Sequence, residues 1–160
     1  MSDTRKEIDL SVDIDAAPDK VWAMVSDLDR MGEWSPECTG VKWKSALTGP
    51  QVGAKFKGRN RSGKRSWSTD GKIVVADPER EVAWDISFLG FPVARWGYRI
   101  EPRGEGTSTV TEYWRERRNA LLRWSVPGTV VTGVKDRVGA NEASIRATLD
   151  QLKGAAEAKP

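Results

Sequence analysis

The chain has 160 residues, 38% of them hydrophobic and 31% charged, with a net charge of +3. That is the size and balance of one globular domain able to bury about 70% of its unfolded surface, and residues 1–160 read as that single domain. Histidine is absent and Cys38 is the one cysteine, which excludes an internal disulfide, a Cys/His metal centre and every histidine-based catalytic triad.

The opening "MSDTRKEIDL" is polar and lacks the apolar core of a secretory signal, and no later run approaches the ~18 apolar residues of a membrane-spanning helix. A cytoplasmic protein is expected. Residues 7–15, "EIDLSVDID", alternate strictly, with Ile8, Leu10, Val12 and Ile14 on one face, and predict a half-buried strand. Pro18 suits the first turn of a helix, and Val21, Met24, Val25 and Leu28 follow at helical spacing until Gly32 ends the short helical region. Pro36 and Gly40 form a loop before "VKWKS" resumes the alternation.

From residue 41 to 117 the period stays at two, with turns expected at residues 48–50, 62–64, 77–78, 90 and 102–106, so several short antiparallel strands follow. After Pro127 and Gly128 the spacing becomes helical, with Val131, Val134, Val138, Ile145, Leu149 and Leu152 on one stripe. Such a helix would reach about 40 Å, enough to cross a whole sheet. An antiparallel sheet with one apolar face and one long helix to cover it is an α+β architecture.

The stretch "DAAPDKVWAMVSDLDRMGEWSPE" resembles the signature of the START-like superfamily, also called SRPBCC or polyketide cyclase/dehydrase-like proteins, which have the Bet v 1-type helix-grip fold. The segments "RSWSTDGKIVVADPEREVAW", "RWGYRIEP", "GTSTVTEYW" and "NEASIRATLDQLKGAAE" resemble the family's sheet strands and grip helix in the same order, over nearly the whole chain. The resemblance implies a curved antiparallel sheet wrapped around the C-terminal helix, with two short helices between the first two strands. It also implies an internal cavity for lipids, polyketides or other apolar molecules.

Strand parity then proposes the lining. With Ile8, Leu10, Val12 and Ile14 inward, the matching inner sets are Val41 and Trp43; Phe56, Gly58 and Asn60; Trp67, Thr69, Ile73 and Val75; Val82, Trp84, Ile86 and Phe88; Ala94, Trp96, Tyr98 and Ile100; and Val110, Glu112 and Trp114. Large rings fill cores as readily as they line pockets, and both uses are compatible here. The candidate ligand contacts are Trp43, Phe56, Trp67, Trp84, Phe88, Trp96, Tyr98, Glu112 and Trp114 on the strands, with Val134, Val138 and Asn141 on the helix.

Glu112 shares parity with Val110 and Trp114, so it points inward, where an unpaired carboxylate is costly and must find a partner or take up a proton. It either pairs with an arginine or faces water at the sheet edge, or it is a polar anchor or proton donor for ligand. Asn141 interrupts the apolar stripe and must offer its amide to the backbone or to a ligand. Gly133 and Gly139 lower helix propensity there, making room for ligand or marking a kink.

The basic run "KFKGRNRSGKR" places Lys55, Lys57, Arg59 and Arg61 on the outer face, the habit of a solvated strand, so nucleic acid is not the expected partner. A hydrophobic small molecule is. Binding or transport of such a molecule needs neither metal nor cofactor, and none is expected. The alternative is a polyketide cyclase, aromatase or dehydratase using the same cavity, for which the candidate catalytic groups are Glu112 and Tyr98, with Tyr113 a further tyrosine nearby. A lid is expected over residues 119–133, where Leu121, Leu122 and Trp124 look exposed, a membrane surface or partner being the competing occupant.

Overall fold

The strict alternation near the N-terminus folds as β1 (Glu7–Ile14), with Ile8 and Ile14 buried and Glu7, Asp9, Ser11 and Asp13 facing solvent. The structure is a computed structural model that describes residues 4–125 and 131–158. Pro18 opens α1 (Pro18–Val25), where its missing N–H breaks no helical bond. Ser26 closes that helix by donating its hydroxyl to the Trp22 carbonyl at 2.6 Å. A 3-10 helix, Leu28–Glu33, follows.

Six further strands complete the sheet: β2 (Cys38–Trp43), β3 (Lys55–Ser62), β4 (Arg65–Asp77), β5 (Glu81–Phe88), β6 (Phe91–Gly104) and β7 (Thr107–Glu116). They run β1-β7-β6-β5-β4-β3-β2, each pair antiparallel. Strands β2 to β7 are a simple meander, and β1 joins its far edge. After β7 come α2 (Ala120–Ser125) and the long helix α3 (Arg137–Glu157). This is the α+β helix-grip arrangement, a curved sheet around a C-terminal helix.

Three details depart from the sequence pattern. A bulge in β4 lies between Ile73 and Val75, so Ala76 rather than Val75 pairs with the inward Val82 and packs on the core. One extra residue reverses the parity of everything beyond it. Strand β6 runs on through Pro102, expected in a turn; the irregularity between Pro102 and Gly104 is where a strand can tolerate a residue without an N–H.

The third departure is the start of the grip helix. Val131 and Thr132 are helical, but Gly133 takes φ +74°, a left-handed conformation that ends the turn. Helix α3 begins afresh at Arg137, with the Asp136 carboxylate accepting the Gly139 N–H at 3.0 Å as its cap. Its 21 residues give about 31 Å, shorter than expected. Gly139 serves this cap, because a Cβ there would stand 2.3 Å from the Asp136 carboxylate.

The core is distributed unevenly along α3. Ile145, Leu149, Leu152 and Ala156 are buried in one cluster with Ile8, Ile14 and Val110, so the C-terminal part of the helix seals β1 and β7. Val21, Met24 and Val25 of α1 close the same cluster against β6 and β7. At the other end the helix stands off the sheet.

Candidate functional site

Where α3 leaves the sheet, a cavity of about 290 Å³ opens. Its floor is built from rows of cross-strand partners. One row runs Ile73, Trp84, Trp96, Trp114 and Ile8 across β4, β5, β6, β7 and β1. The row beside it runs Val82, Tyr98, Glu112 and Leu10, and the row on the other side Phe56, Gly71, Ile86, Ala94 and Glu116. The aromatic rings share one face because every one sits at inward parity in this register.

Phe56 reaches the cavity over a glycine. A Cβ on its cross-strand partner Gly71 would meet the Phe56 ring at 2.2 Å, so the ring lies flat against bare backbone. The same device recurs on the outer face, where Tyr113 covers Gly97. There the Tyr113 hydroxyl donates to Glu81 at 2.6 Å and its ring carries the guanidinium groups of Arg99 and Arg115. Tyr113, an inward candidate only by chain proximity, is thereby an outer-face residue.

Most expected contacts come together. Phe56, Trp67, Trp84, Phe88, Trp96, Tyr98, Glu112, Trp114 and Asn141 all line the cavity. Trp43, Val134 and Val138 do not. Trp43 backs Phe56 edge-on, with centroids 5.7 Å apart, and donates its ring N–H to Asp29 at 3.2 Å. Val134 precedes α3 and so is off the helix stripe, and Val138 belongs to the buried core cluster.

Glu112 is 6% exposed, and among the described residues its Oε2 has no hydrogen-bond partner. Its cross-strand neighbour is a tyrosine and not an arginine, Tyr98 of β6. Burial pushes the Glu112 carboxyl well above the usual carboxylate range, and the nearby Tyr98 hydroxyl only partly opposes it. Burial, and then the adjacent Glu112, likewise hold the Tyr98 phenol well up. Burial thus favours the protonated form of both groups.

The opposite wall carries polar groups that strand parity did not reveal. Arg137, at the first turn of α3, donates from Nη2 to Glu37 at 2.5 Å and from Nε to Asn141 at 2.9 Å. Its guanidinium lies 5.8 Å from the Trp67 ring centroid, and its Nη1 is buried without a partner among the described residues. Asn141 thus has a structural bond and a place on the cavity wall at once. The i, i+4 spacing of Arg137 and Asn141 was the available signal.

Glu116 was also missed, although it continues the parity of Glu112 and Trp114 by two residues. Its side chain is 2% exposed and is clamped by Arg118, whose Nε and Nη2 donate at 2.8 and 2.7 Å. That bond holds the Arg118 guanidinium firmly charged. Phe88, Leu89, Phe91, Leu122 and Val131 form the rim. Leu89, Phe91, Leu121 and Trp124 are exposed, Trp124 by 83%. Of the segment expected to be a lid, α2 and residues 131–133 are described, and residues 126–130 lie outside the described residues.

This pairing of an apolar cavity with a gripping helix has a counterpart in sequence: residues 5–157 match the family described as polyketide cyclase/dehydrase and lipid transport. The chain belongs to that family. Among solved structures of the polyketide cyclase/dehydrase type, a polyketide cyclase-like protein from Corynebacterium glutamicum is 30% identical, with 94% of this chain and 91% of that one covered and a TM-score of 0.63. Major latex-like protein 151 of Panax ginseng superposes with a TM-score of 0.69 at 14% identity, over 95% of this chain and 97% of that one. The di-domain aromatase/cyclase BexL of the BE-7585A biosynthetic pathway does so with a TM-score of 0.66 at 19% identity, over 96% of this chain and 50% of that one. These last two share the fold. No curated protein is significantly similar in sequence.

Proposed function

We propose that the protein binds and carries a hydrophobic small molecule in the cavity between its sheet and α3. The observation that carries this is the lining: tryptophan, phenylalanine and tyrosine rings from β3 to β7 face one cavity, with a few polar groups placed among them. That mixture is the composition of small-molecule sites in general, where rings supply affinity and isolated polar groups set orientation. Membership of a polyketide cyclase/dehydrase and lipid transport family supports the same ligand class. Among the described residues no helix is long and apolar enough to cross a membrane.

The neutral apolar dye N-phenyl-1-naphthylamine should brighten and saturate on titration with the protein, and native mass spectrometry should recover a co-purifying apolar molecule. A dye that shows no saturable binding would defeat the proposal.

One observation favours a second reading, an enzyme of the cyclase or dehydratase type. Glu112 and Tyr98 are two ionisable cross-strand partners that both line the cavity, and a neutral carboxylic acid held in place can protonate a substrate oxygen. Under that reading Glu112→Gln suppresses turnover on the order of 10² to 10⁴ while binding holds. Under the carrier reading there is no turnover to lose.

A further inference from the structure

Two polar atoms among the described side chains are buried without a hydrogen-bond partner, Glu112 Oε2 and Arg137 Nη1, and both residues line the same cavity. Native interiors leave few such atoms unpaired, because each forfeits the bond it made with water. Two of them on facing walls of one ligand site indicate groups that the ligand completes. The inference rests on the carrier reading above.

The two atoms have the same hydrogen-bonding sense. Arginine only donates, so Nη1 asks for an acceptor. Burial favours the protonated form of the Glu112 carboxyl, and that form presents an O–H to a ligand at its unpartnered oxygen. A ligand that completes both walls therefore supplies acceptor oxygens to each.

Charge narrows the class further. Arg137 is already ion-paired to Glu37 at 2.5 Å, so its guanidinium brings no net charge to the cavity. Glu112 in its protonated form brings none either. A carboxylate entering this space would meet Glu37 beside Arg137 and Glu116 shared by Arg118 and Arg123, so it would lose its hydration against described cations that are already ion-paired. We infer that the ligand is a neutral, oxygenated apolar molecule, whose carbonyl or hydroxyl oxygens accept hydrogen bonds from Arg137 and Glu112, in preference to a plain hydrocarbon or a carboxylate.

Displacement of N-phenyl-1-naphthylamine by three probes of one skeleton tests this: fluorene, 9-fluorenone and fluorene-2-carboxylate at pH 7.5. The ketone should bind about tenfold tighter than the hydrocarbon, the margin of one well-made buried hydrogen bond, although it is the better hydrated of the two in water. It should also exceed the carboxylate. Arg137→Met and Glu112→Met should each reduce the ketone's advantage and together remove it, whereas Glu112→Gln, which keeps a donor, should retain it.

Failure of the dye to bind would sink the carrier reading itself. A dye that binds, displaced equally by fluorene and fluorenone or most tightly by the carboxylate, would overturn the present inference alone. The ranking on the unaltered protein decides the ligand class even if a variant does not fold.

Discussion

Glu112→Gln gives a pH-dependent stability change whose sign and slope follow from the structure. The carboxyl is buried beside Tyr98, and its folded value is raised well above the ordinary 4.5 by burial. A raised value means that the native state keeps a proton which the unfolded chain releases, so this group's contribution is fully present below about pH 4.3 and is lost as pH rises toward the folded value. Within that window each pH unit costs the wild type about 1.4 kcal/mol relative to a residue that does not titrate.

Glutamine imitates the neutral acid in shape and does not titrate. Urea unfolding followed by tryptophan fluorescence at pH 5 and pH 6 should therefore show Glu112→Gln gaining on the wild type as pH rises, by at most about 1.4 kcal/mol over that single step, the ceiling for one titrating group. Tyr98→Phe should lengthen the window, because it removes the hydroxyl that draws the Glu112 value down. Parallel stability curves for wild type and Glu112→Gln would refute the reasoning, since they would mean that Glu112 titrates in the folded protein as it does in water.

Gly71→Ala should destabilise by about 1–3 kcal/mol through the clash with Phe56 and also weaken dye binding, while Gly97→Ala should cost about as much through Tyr113 and leave binding unchanged, as paired urea and dye titrations would show. Trp34, 4% exposed, should cost about 3–5 kcal/mol on replacement by alanine, and the half-buried Trp22 distinctly less, by the same unfolding assay. Deleting residues 137–160 should abolish cooperative unfolding in a thermal melt, because it uncovers the apolar face of β1 and β7.

Much of the fold was legible because half-buried strands advertise themselves. Residues 7 to 14 alternate without a break, and the parity of Trp84, Trp96 and Trp114 put three rings on one face, which the register then brought into one row. Parity fails at bulges, and the insertion after Ile73 turned Val75 away while admitting Ala76. Apolar periodicity also ran straight through Gly133, since it reports which face is buried and not whether the backbone turns left-handed between two helical segments. The polar half of the site was hardest to read. Arg137 and Glu37 stand 100 positions apart and meet only through the fold, and an arginine at a helix start looks like any solvated charge.

The division of labour along α3 has a consequence for what substitutions do. Foldability is invested in the end that carries Ile145, Leu149, Leu152 and Ala156, whereas Arg137, Asn141 and Ser144 at the other end meet the cavity. Substitutions at well-separated, non-contacting positions act nearly independently. Under the carrier reading, substitutions at Arg137, Asn141 and Ser144 would change which ligand fits while leaving the cluster at the far end of the helix in place.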